Sequence, residues 1–127
     1  MKNLIYLILS LFIVSCHSHD EDDANAPILN ITSPTNGFFA KNDTDLKILG
    51  KVTDESLHEL SIKVQNKSDN KVLFSSTPEV HDKTSYDINE TWKPTITADT
   101  TNVYLAIEVF DHNDNKATDT ISFKIVK

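Results

Sequence analysis

Arginine is absent from this chain of 127 residues, and all 12 basic residues are lysine. Without a guanidinium fork there is no bidentate contact to phosphate or guanine. The 19 acids outnumber those lysines and leave a net charge of −7, which repels a polyanion. These features argue against nucleic acid as a partner. A single cysteine allows no internal disulfide. No run of apolar residues reaches the roughly 20 needed to cross a bilayer core as a helix. No segment carries a long helical period. The catalytic inventory is thin as well: there is no His-Glu-x-x-His phrase and no serine in a nucleophile-elbow setting. Scattered carboxylates alone do not make a glycosidase pair, so the chain reads as non-enzymatic.

What is present divides into three parts. Lys2 followed by the apolar stretch 4–14 has the charge and length of a signal-peptide start. The phrase Ile13-Val14-Ser15-Cys16 follows, and Cys16 is the sole thiol. It resembles the lipobox of bacterial lipoproteins. That resemblance implies residues 1–15 as a cleaved signal, lipidation of Cys16 and an essentially permanent membrane anchor. Residues 16–26 hold His17, His19 and the acidic run Asp20-Glu21-Asp22-Asp23 with no apolar period, as a solvated tether would. His17 and His19 could chelate a cation, but ordering a loose tail costs entropy and keeps affinity low. An acidic run just after the lipidated cysteine resembles the surface-export signal of Bacteroidota lipoproteins. The expected location is the cell envelope, lipid-anchored, at the outer membrane on its periplasmic or surface face.

Residues 27–127 read as one domain of about seven short strands. Apolar residues recur at every second position in Leu46-Ile48-Val52, Leu60-Ile62-Val64, Val103-Leu105-Ile107-Val109 and Ile121-Phe123-Ile125. Ile28-Leu29-Ile31, Val72-Leu73-Phe74 and Tyr86-Ile88-Trp92 supply three more. Turn formers separate them, among them Ser33-Pro34-Thr35-Asn36-Gly37 and Lys67-Ser68-Asp69-Asn70. This is the pattern of an all-β sandwich. Trp92 is expected in the core, and Phe38 and Phe39 as an edge packing onto the sandwich.

The opening phrase Pro27-Ile28-Leu29-Asn30-Ile31-Thr32-Ser33-Pro34-Thr35-Asn36-Gly37 resembles the start of immunoglobulin-like modules of bacterial surface proteins. So does Val109-Phe110-Asp111-His112-Asn113-Asp114-Asn115 before the last strand, with Asp114 where glycine is usual. The phrase Val80-His81-Asp82-Lys83-Thr84-Ser85-Tyr86 is similar to one in small Bacteroidota lipoproteins of unknown function with a single immunoglobulin-like domain. The resemblance implies a fold and no activity.

In such a sandwich, with strands lettered A to G, the B–C, D–E and F–G loops share one pole. His58 falls on the B–C link, His81 between D and E, and His112 between F and G. Three imidazoles brought to one point would suit Zn²⁺ or Cu²⁺, with Asp82, Asp111 or Asp114 as a fourth ligand or an outer partner. The bland alternative is three separately solvated histidines. The same pole carries Asp54, Glu55, Asp111, Asn113, Asp114 and Asn115, an oxygen-rich set that suits Ca²⁺. The stretch from Asp111 to Asn115 also resembles the calcium linker of cadherins, but no second domain completes a site. Here the bland alternative is a polar hairpin turn whose side chains cap backbone amides. The functional expectation is a lipid-anchored envelope binding module. Its partner could be an envelope protein, a glycan or a metal ion, and a purely structural or adhesive role is the remaining reading.

Overall fold

The structure, a computed structural model, describes residues 24–127. Cys16, His17, His19 and the expected signal segment lie outside the described residues, as does all of the tether except residues 24–26. Eight strands follow one another: β1 (Ile28–Ser33), β2 (Phe39–Lys41), β3 (Leu46–Thr53), β4 (Leu57–Asn66), β5 (Val72–Ser76), β6 (Ser85–Trp92), β7 (Thr100–Asp111) and β8 (Lys116–Val126). They form two sheets, ordered β1-β3-β6 and β2-β8-β7-β4-β5. This is an immunoglobulin-like β-sandwich. The seven expected strands are present. The eighth, β2, is three residues long and too short to show a period.

The core follows from the alternation. Ile48 and Val52 of β3 face Leu60, Ile62 and Val64 of β4, Val103 to Val109 of β7 and Ile125 of β8, and most of these side chains are wholly shielded. Ile121 and Phe123 complete the row on β8. Burying one such side chain contributes about 1.5–3 kcal/mol, which makes the register of each strand unambiguous.

At Gly50, paired with Ile31, β1 lies so close to β3 that an added Cβ would sit 2.7 Å from the Asn30 carbonyl oxygen. Trp92 closes one side, half-buried, with its ring 6.0 Å from that of Phe74. The expectation for Phe38 and Phe39 needs correction. Ala40 is the β2 residue that packs inward, while the two rings are 40% and 62% exposed. Strand β2 pairs parallel to β8, and its alternation turns Phe39 outward, where Lys124 lies over the ring.

Candidate metal site

Three connections meet at one pole: 54–56 between β3 and β4, 77–84 between β5 and β6, and 112–115 between β7 and β8. Backbone hydrogen bonds stitch them together. The Asp54 N–H donates to the Thr84 carbonyl, the Leu57 N–H to Lys83 and the Asp82 N–H back to the Leu57 carbonyl, at 3.1, 2.8 and 2.9 Å. On the other side the His112 N–H donates to the Ser56 carbonyl at 3.2 Å. The segment around residue 57 is thus the centre of the pole, bound to both neighbours.

Each domain histidine directly follows a residue sealed in the interior. Leu57, Val80 and Asp111 are 0, 1 and 1% exposed, and His58, His81 and His112 come next. A buried residue pins the backbone, so the following side chain leaves from a defined point. His58 differs from its expected place, because it belongs to strand β4 and not to a loop. There Leu57 pairs with Asp111 and Glu59 with Phe110, so His58 is the extra residue of a β-bulge. The bulge lets Leu57 and Leu60, three apart, both point inward while His58 and Glu59 face out. The break in alternation at Leu57-His58-Glu59-Leu60 was the available sequence signal.

The convergence is tight. One ring nitrogen from each of His58, His81 and His112 lies within 4.8 Å of the other two. Nδ1 of His58 and Nδ1 of His81 are 3.1 Å apart. The ring centroids are 4.6 to 5.1 Å apart in all three pairs. With metal–nitrogen bonds of about 2.0–2.1 Å, tetrahedral ligands sit roughly 3.3 Å apart. The first pair already has that spacing. The widest separation of 4.8 Å must close by about 1.5 Å to fit an ion, a side-chain rotation for exposed imidazoles.

Asp82 stands at the outer edge. Its Oδ1 is 2.9 Å from Nε2 of His112, and its Oδ2 is 3.6 Å from Nε2 of His81. It sits in the left-handed region at φ 61°, which aspartate tolerates better than most residues. Its carboxylate is carried there by a tight turn in which the Lys83 N–H donates to the Val80 carbonyl and the His81 N–H to Glu79 Oε1.

Asp111 has a different task. It continues the inward-facing row of β7, and its carboxylate is buried. Oδ1 accepts from the N–H groups of Asn113 and Asn115, and Oδ2 from the Asn115 side-chain amide, at 2.7–2.8 Å. Burial by itself would push its pKa up. The Asn115 amide, the Asn115 and Asn113 N–H groups and the nearby His112 together outweigh burial and hold it below the ordinary carboxylate value. Asp114 turns the hairpin at φ 61° and is exposed. Asp54 Oδ1 caps the Ser56 N–H at 2.8 Å. Among the described residues the carboxylates of Asp54, Glu55, Asp111 and Asp114 are not gathered around one point as the imidazoles are.

No family model and no curated protein matches the sequence. Solved structures share the shape at low identity. An engineered protein aligns with a TM-score of 0.57 and 14% identity over 80% of this chain, which spans only 20% of that protein's length. The fibronectin(III)-like modules of CbhA from Clostridium thermocellum align at 0.45 and 20% identity, covering 78% of this chain and 94% of theirs. CopC from Methylosinus trichosporium OB3b aligns at 0.47 and 10% identity with the same two coverages. The first likeness speaks to the fold alone, and the other two are too distant to carry an argument.

Proposed function

We propose that this chain is a non-enzymatic, metal-binding β-sandwich, held at the cell envelope by a lipid on Cys16, which takes a Zn²⁺ or Cu²⁺ ion on His58, His81 and His112. The observation that carries it is the meeting of three imidazoles from three segments distant in sequence, with ligand atoms within 4.8 Å of one another. Imidazole nitrogen suits both ions, whereas Ca²⁺ prefers oxygen. The three rings also stand on a stitched backbone, so little ordering entropy remains to be lost on binding. The anchored location rests on the lipobox-like phrase at Cys16 and the apolar stretch before it.

Thermal melting with Zn²⁺, Cu²⁺ and Ca²⁺ tests the metal reading. A ligand at a hundredfold excess over Kd stabilises the folded state by about 2.7 kcal/mol. For a domain of this size that raises Tm by roughly 10 °C. The rise is expected with Zn²⁺ or Cu²⁺, is absent with Ca²⁺, and disappears in His81→Ala. A melting curve unmoved by either transition metal would refute the reading.

A further inference from the structure

We propose that Asp82 stays outside the coordination sphere, so that an ion at this pole is held by three nitrogens on one side and takes its next donor atom from another molecule. This rests on the metal reading above. It adds which nitrogens face the ion, what fills the remaining position and what class of partner the site accepts.

The geometry around Asp82 separates the two edges of the imidazoles. Nε2 of His112 and Nε2 of His81 point to the two oxygens of this one carboxylate, at 2.9 and 3.6 Å. The opposite nitrogen of His81, Nδ1, faces Nδ1 of His58 at 3.1 Å. At 2.9 Å the carboxylate holds the proton of His112 on Nε2 and leaves its Nδ1 lone pair for a metal, while at 3.6 Å its other oxygen stands beside His81 without a hydrogen bond. Nδ1 of His58 and Nδ1 of His81 already face each other, and Asp82 is a positioning residue on the outer edge of His112. A carboxylate hydrogen-bonded to Nε2 of His112 is not free to bind the ion without giving up that contact. The backbone reinforces this, because the Asp82 N–H is tied to the Leu57 carbonyl.

Three ligands leave a four-coordinate ion one position short. Among the described residues no cysteine or further carboxylate joins the three histidines as a ligand group. The side chains of His81 and His112 are 49 and 35% exposed. The open position thus faces outward, where a donor from outside the chain can reach it. That donor is water or a small anion in isolation, or a side chain of a second metal-binding molecule when the ion is shared or passed on.

The test loads the full chain with Cu²⁺ and titrates azide, a small anionic donor. The expected result is a new charge-transfer band that saturates at one azide per bound ion. Asp82→Asn keeps the left-handed turn, and its carboxamide has one acceptor oxygen for two ring edges. In that variant the azide band is expected to persist, while affinity for Cu²⁺ falls about 10- to 100-fold. Nitrogen-15 spectra of the metal-free wild type should show the proton of His112 on Nε2, with that preference weakened in Asp82→Asn. A loaded wild type whose spectrum ignores azide overturns the proposal, and azide binding that appears only in Asp82→Asn identifies the carboxylate as the fourth ligand. Unchanged affinity and proton placement in Asp82→Asn also overturn it. A wild type that takes up no Cu²⁺ fails at the metal reading itself, which separates the two failures.

Discussion

At the scale of single residues, Asp111 shows how one side chain supports the pole without touching an ion. Its buried carboxylate collects three N–H donors from Asn113 and Asn115 and so shapes the turn that presents His112. Asp111→Ala strands those donors and is expected to cost about 2–4 kcal/mol, read as a lower midpoint in urea. Acid acts on the same group. Its pKa is lower in the folded chain than the ordinary 3.8, so its stabilisation is complete above that value. It is lost as pH falls through the lower folded value. Between about pH 5 and pH 2 the wild type is expected to lose more stability than Asp111→Asn, which carries no such proton linkage. Equal slopes for the two proteins would show that the carboxylate is not held in its charged form.

At the scale of elements, the bulge at His58 and the close strand pairing at Gly50 do opposite work. The bulge adds one residue to β4 opposite β7, turning His58 outward while Leu57 remains in the core. At Gly50 the missing side chain lets β1 pair closely with β3. An alanine at Gly50 would place its Cβ 2.7 Å from both the Asn30 carbonyl oxygen and Ile31 Cδ1. Backbone cannot yield as a side-chain tip can. Gly50→Ala is therefore expected to destabilise the domain by about 1–3 kcal/mol, measured by denaturant unfolding. Because Gly50 lies within β3 and not in the connections that carry the histidines, metal affinity of the folded variant should remain at the wild-type level. Period-two patterning marked β3, β4, β7 and β8, and short apolar runs between turn formers marked β1, β5 and β6. It missed β2, and it started β4 at Leu60 because an inserted residue breaks the period at its first turn.

For the whole molecule, an ion on the three histidines would cross-link segments far apart in sequence. His58 and His81 are 23 residues apart in the chain, yet their Nδ1 atoms are 3.1 Å apart. An ion bound to all three would resist opening of each. Hydrogen exchange is expected to slow on metal loading at the N–H groups of Leu57, Asp82 and His112. At the opposite pole, around Asn66, Asn70 and Thr101, it should be unchanged. Uniform protection over both poles would mean that the ion acts on global stability and not through this cross-link.

The sandwich was written in the sequence, because burial on one face of each strand demands an apolar residue at every second position, and Val103 to Val109 or Ile121 to Ile125 fit no other regular element. The placement of the three histidines at one pole was legible for the same reason: strand order assigns each connection to an end. Whether rings at one end meet at one point is a matter of ångströms, which no spacing along the chain encodes. The backbone bonds from Leu57, Asp82 and His112, the bulge that re-aims His58, and the carboxylate of Asp82 against two ring edges all arise between segments distant in sequence. Tertiary packing decided them, and with them whether five scattered side chains, Asp111 included, are gathered at one point and its support or stay a polar rim.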